Sequence, residues 1–101
     1  MLDRNLYTGL IRLHILHHAA EGPIFGQAMI DELARHGYRL SAGTLYPILH
    51  GMERQGYLKS RATLTGGRNR RVYRATPSGR KALVTARQRV QELFGEMFEH
   101  G

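Results

Sequence analysis

Apolar residues in the first twenty positions recur at helical spacing twice over. Leu2, Leu6, Leu10, Leu13 and Leu16 make one stripe, and Tyr7, Ile11 and Ile15 make a second beside it. A helix that is apolar on two sides needs two partners. The pattern predicts a helix to about Ala20, stopped at Glu21-Gly22-Pro23. A second helix is expected over residues 25–36, with Ala28, Met29, Leu33 and Ile30 turned inward and Gly37 as its C-terminal cap. Tyr38-Arg39-Leu40 then reads as a short extended link or minor strand.

Residues 41–58, "SAGTLYPILHGMERQGYL", predict a third helix that ends at Gln55-Gly56 and has an unusual polar side. Stepping 100° per residue gathers Leu45, Ile48, Leu49 and Met52 within about 100°, the stripe that faces a core. Opposite lie Gly43, Pro47, His50 and Arg54, with Tyr46 on the shoulder of that row. Either Ser41 or Thr44 can cap this helix. With Thr44, Pro47 falls in the first turn, where its missing N–H costs little. With Ser41, a hydrogen bond near Gly43 is lost and the helix begins bent. Small residues first and reaching residues later suit a helix that enters a major groove by its N-terminus.

Two alternating segments follow, "YLKSRATL" and "NRRVYRAT", and residues 65–68 join them as a hairpin tip. Thr76 and Pro77 then open a final helix as N-cap and first residue. Its apolar positions Leu83, Ala86, Val90, Leu93 and Met97 step by three and four, with Phe94 and Phe98 alongside. The expected fold is therefore mainly α with a small β-hairpin: a winged helix-turn-helix over residues 1–76 and a dimerisation helix over 77–101, within one compact unit. Leu83, Val90, Leu93, Phe94, Met97 and Phe98 exceed what so short a chain can cover, so a homodimer is expected. Leu6, Tyr7 and Ile11 of the first helix are assigned to the same interface.

Length and composition narrow the function. One hundred and one residues, 42% of them apolar, suffice for one folded domain with a modest core. The absence of cysteine excludes disulfides and thiolate metal sites. No apolar run reaches the ~20 residues of a membrane span, and the N-terminus does not resemble a signal peptide, so the expected compartment is the cytoplasm. The chain carries no cysteine nucleophile, no phosphate-binding glycine loop and no paired acids at a plausible site; "TGGRNRR" lacks the Walker lysine, and an enzyme is not expected.

Charge adds more. The net charge is +7, but residues 54–91 hold eleven Arg or Lys and no acid, whereas residues 1–53 balance to −1. Such segregation is the footprint of a polyanionic partner. Three arginines, Arg68, Arg70 and Arg71, crowd a glycine-rich turn that solvent alone would not require, with Asn69 between them. A tip of this kind suits a phosphate backbone or a minor groove.

"SAGTLYPILHGMERQGYL" followed by "GGRNRRVYRATPSGRKAL" resembles the PadR family of transcriptional regulators over about residues 6–83. In that family a G-T-L-Y-P-x-L stretch forms the recognition helix, and a Gly-Arg-rich wing leads into Y-R-x-T-x-x-G. "AAEGPIFGQAMIDEL" is similar to the family's entry into the second helix, with Gln27 where a tyrosine is often found. The resemblance implies double-stranded DNA contacts from Gly43, Thr44, Tyr46 and Pro47, and backbone contacts from Arg68, Arg70 and Arg71. It further implies structural roles for Tyr73 and Thr76, a homodimer of the short subfamily, a palindromic operator, and a small molecule or stress signal as effector. With the residues read directly, the DNA-binding set comprises Ser41, Gly43, Thr44, Tyr46, Pro47, His50, Arg54, Arg68, Asn69, Arg70 and Arg71.

His14 and His18 stand at the i, i+4 spacing of two metal ligands, but no cysteine or acidic third ligand is apparent beside them, so no metal or other cofactor is expected. These histidines, with His17, are assigned to a helix flank facing the dimer partner, where they lend pH sensitivity near neutrality. The competing reading of the whole chain is a winged-helix module for protein assembly or RNA, without a specific operator.

Overall fold

A computed structural model describes residues 3–99; Leu2, placed above in the first apolar stripe, lies outside them. The order of elements is α1 (Arg4–Glu21), β1 (Ile24–Phe25), α2 (Gly26–Arg35), α3 (Ala42–Arg54), β2 (Leu58–Thr65), β3 (Arg68–Ala75) and α4 (Pro77–Phe94). A π-helical turn at Gly95–Glu99 ends the described chain. This is the winged helix-turn-helix arrangement with an added C-terminal helix.

Local chemistry explains most boundaries. Asp3 caps α1 by accepting from the backbone N–H groups of Asn5 (2.8 Å) and Leu6 (3.2 Å). Both α2 and α3 close with the same six-to-one backbone bond: Tyr38 N–H donates to the Leu33 carbonyl and Tyr57 N–H to that of Met52, each 2.9 Å. The intervening residues, Gly37 and Gly56, take φ of +89° and +86°. Ser41, not Thr44, stands at the N-cap of α3, so Pro47 lies inside the helix and leaves the Gly43 carbonyl without its usual donor.

The hairpin turns on Gly66 and Gly67 at φ +58° and +76°, the paired positive values of a two-residue turn matched to strand twist. Arg68 thereby belongs to β3, opposite Thr65. The expected minor strand at Tyr38–Leu40 is not formed. A third strand arises instead at β1, where Ile24 pairs with Tyr73 and Phe25 with Val72, giving the sheet order β1-β3-β2. Once β3 stands at the centre of the domain its outer edge needs donors and acceptors, and the segment after Pro23 supplies them.

The core comprises Ile11, Ile15, Leu16 and Ala19 of α1, Met29 and Leu33 of α2, Leu45, Leu49 and Met52 of α3, and Leu58, Tyr73 and Ala75 of the wing. Two expectations change. Ala28 is exposed, whereas Ile30 packs half-buried against the core as expected. Ile11 is 1% exposed and belongs to the core of its own protomer, so it is not available to a partner. The second stripe of α1 faces the core along its length, whereas the first does so only at its end, at Leu16. Tyr7, Ile11 and Ile15 line the inward side, because the β-branched pair packs closely under α2 and the sheet, while Leu6 and Leu10 remain exposed.

Tyr73 is fully buried and its hydroxyl has no hydrogen-bond partner among the described residues; burial, aided by the Glu53 carboxylate, raises its pKa above the ordinary phenol value. Its ring fills the junction of wing and helices, so packing rather than the hydroxyl accounts for tyrosine here.

Candidate nucleic-acid interface

The exposed face of α3 and the wing are held in register by polar contacts within the basic segment's own fold. Glu53 accepts from the Ser60 backbone N–H (3.2 Å) and hydroxyl (2.7 Å), tying the end of α3 to β2. Arg71 donates to the same Ser60 hydroxyl at 3.0 Å, which orients its guanidinium along the sheet. Arg70 stands over the Phe25 ring, 5.9 Å from its centroid, linking the wing to β1. Glu53 sits just outside the acid-free segment, and its carboxylate is occupied by Ser60.

Ser41, Gly43, Thr44, Pro47, His50 and Arg54 are all exposed, as the helical spacing predicts. Ser41 makes no side-chain bond to the helix backbone; its hydroxyl approaches that of Thr44 at 3.4 Å. Tyr46 departs from the prediction. It is half-buried, packed against the core, and its hydroxyl end lies over Gly26 at the start of α2. A Cβ at Gly26 would overlap the Tyr46 ring and oxygen, so glycine there makes room for the tyrosine. Sequence reading missed Gly26 because the constraint comes from a residue twenty positions away.

Tyr46 also borders a cleft of about 340 Å³ whose other walls are Gln27, Arg68, Asn69, Arg70 and Arg71. The recognition-helix tyrosine, the first turn of α2 and the wing tip therefore share one basic recess. All four wing residues named from the sequence line it. Gln27, set aside as a departure from the motif, lines it too, and its amide is held by Asp31 at 3.2 Å.

Residues 15–85 match the Transcriptional regulator PadR-like family. The chain belongs to that family. It is 51% identical over 94 residues to Transcriptional regulator Rv3488 of Mycobacterium tuberculosis, which spans 93% of this chain and 88% of that one. Its fold is similar to the PadR family transcriptional regulator of Eggerthella lenta, with TM-score 0.79, 30% identity, and coverage of 94% and 84% of the two chains. The fold also resembles Bacillus subtilis PadR, solved in complex with operator DNA, at TM-score 0.67 and 20% identity over 75% of this chain and 45% of that one. A PadR-like protein of this kind is a transcriptional regulator and not an enzyme. Among the described residues no helix is long and apolar enough to cross a membrane.

Elsewhere in this PadR-like domain, α1 and α4 enclose an open groove of about 810 Å³ whose lining includes Leu10, Leu13, Leu83, Ala86, Val90 and Phe94 together with His14, His17, Glu21, Arg87 and Gln91. Beyond it Leu93, Phe94, Met97 and Phe98 are each more than half exposed, with the two phenylalanine rings 5.0 Å apart. Leu83 and Tyr7 are half-buried against the protomer's own core. Of the three α1 residues assigned to a partner, Leu6 is exposed, and so is Leu10, which was not assigned to it.

Proposed function

We propose that the chain is a repressor that acts in the cytoplasm, binds a double-stranded inverted-repeat operator as a homodimer, and is released by an effector. α3 enters the major groove by its N-terminus, where Gly43, Thr44 and Pro47 permit close approach and Tyr46, His50 and Arg54 supply donors. The wing lies along the adjoining backbone, where Arg68, Arg70 and Arg71 neutralise phosphates. The observation that carries this reading is the shared recess: Tyr46 and the four wing-tip residues line one basic cleft. The second copy seats its exposed α4 stripe in the α1–α4 groove, removing an apolar surface that a monomer would leave in water.

A salt-controlled mobility-shift assay on genomic fragments tests the reading. Replacing Arg68 and Arg70 together by alanine should weaken binding to every duplex and lower the salt slope by about one unit per lost phosphate contact. Wild-type protein that binds all duplexes alike, or prefers RNA, would instead identify an assembly or RNA module.

Gly26→Ala is the complementary test. The methyl group displaces the Tyr46 ring from its place against the core, so the fold should survive with a destabilisation of about 1–3 kcal/mol, the range for overpacked sites. Operator preference should fall while non-specific affinity stays. Unaltered preference would remove Tyr46 from the readout.

A further inference from the structure

Three imidazoles and a carboxylate converge where α1 meets the end of α2. The ring nitrogens available for ligation on His14, His18 and His36 all lie within 4.8 Å of one another. His14 stacks on His36 with centroids 4.9 Å apart, and Tyr38 closes the cluster edge-on to His14 at 5.2 Å. Glu32 completes it: one carboxylate oxygen is 2.9 Å from His36 Nε2 and 3.7 Å from His18 Nε2. Two i, i+4 pairs, His14 with His18 on α1 and Glu32 with His36 at the end of α2, thus lie side by side. The sequence reading found the first pair and no third ligand; packing brings α2 to it.

We propose that His14, His18, His36 and Glu32 form a binding site for a divalent first-row transition metal of the zinc, cobalt or nickel type. Three nitrogen donors and one carboxylate select such ions over magnesium or calcium, which prefer all-oxygen shells. The outer partners are in place. Arg35 holds the other Glu32 oxygen at 2.9 Å, which leaves the first oxygen directed at the histidines. Glu21 lies 3.8 Å from His18 Nδ1, beyond hydrogen-bond length but near enough for its charge to favour a proton on that nitrogen and leave Nε2 to the cluster.

Electrostatics agree. Burial, then the neighbouring His36, His18 and His17, lower the pKa of His14, which keeps a lone pair free at neutral pH. A hydrogen bond from His36 lowers that of Glu32 and keeps it ionised. A bound ion would take the place of the proton that His36 Nε2 shares with Glu32. Ligand atoms around tetrahedral zinc stand ~3.3 Å apart, so separations of up to 4.8 Å must close by up to about 1.5 Å on binding. A second group, His17, His18 and Glu21, lies on α1 alone and shares His18, which makes it the natural competitor.

The test uses the untagged, chelator-treated full chain titrated with Co²⁺ and then Zn²⁺. Expected are saturable binding of one Co²⁺ per chain with the visible bands of a tetrahedral site, displacement by Zn²⁺, and a higher Tm in Zn²⁺ because the ion ties α1 to α2. His36→Ala and Glu32→Gln should each lower affinity at least about tenfold and abolish the Tm rise, while His17→Ala should leave both within about twofold. Absence of saturable binding overturns the proposal. So does loss in His17→Ala with retention in His36→Ala, which places the ion on α1 alone.

Discussion

Inserting five base pairs between the half-sites of the operator is expected to lower affinity about a hundredfold or more, toward the non-specific level. A two-fold dimer presents two copies of α3, and both can enter one face of a duplex only when half-site centres lie about one helical turn, ~10 base pairs, or a multiple apart. Five added pairs carry one half-site about half a turn around the axis, and a rigid dimer then forfeits one helix and one wing. Specific binding commonly exceeds non-specific by 10³ or more, so losing half the contacts is readily measured. In the proposed dimer that rigidity would come from α4, an 18-residue helix anchored at its start and carrying the apolar stripe at its end. Leu93→Glu combined with Phe94→Glu should sediment as a monomer and bind the unmodified operator no better than wild type binds the five-pair insertion. Footprints indifferent to the insertion, or equally tight on one half-site, would exclude a dimeric repressor.

Gly79→Ala should destabilise the domain by about 2 kcal/mol, within the range for overpacked sites. A Cβ there would overlap the Tyr57 carbonyl oxygen, a backbone atom that cannot swing aside. That carbonyl already accepts from the Thr76 backbone N–H at 3.0 Å, while the Thr76 hydroxyl donates to the Gly56 carbonyl at 2.5 Å and accepts from Gly79 N–H at 2.9 Å. One threonine thus caps α4 and fastens it to the end of α3, and this bond requires close approach at Gly79. Tm should drop by roughly 10 °C in thermal denaturation, since each kcal/mol moves a domain of this size by about 4–8 °C. Ser78→Ala, on the exposed side of the same turn, should stay within about 0.5 kcal/mol of wild type. Equal melting of Gly79→Ala and wild type would mean that the α3–α4 junction yields freely.

Much of this architecture was legible in the linear chain because its causes are local. Alternation gave the hairpin and the 3.6-residue period gave the helices. The Gly66-Gly67 turn, the Thr76 cap and the Gly37 and Gly56 terminators each depend on a few adjacent residues. Exposure of Gly43, Thr44, Pro47, His50 and Arg54 followed from helical geometry once Leu45, Leu49 and Met52 were turned inward. The crowding of arginine at the wing tip needed only counting.

What the tertiary structure alone decided concerns choices between local equals. Both stripes of α1 are apolar, and only the position of α2 and β3 determines that Tyr7, Ile11 and Ile15 face the core while Leu6 and Leu10 face out. β1 is two residues long and carries no signal of its own; it is a strand because β3 offers it an unpaired edge. Tyr46 is half-buried because Gly26, from another helix, leaves space for its ring. His36 and Glu32 join His14 and His18 for the same reason, across a helix–helix contact that no spacing in the sequence encodes. Periodicity specifies which side of a helix can be buried; which neighbour buries it depends on contacts between segments far apart in the chain, and those exist only once the chain has packed.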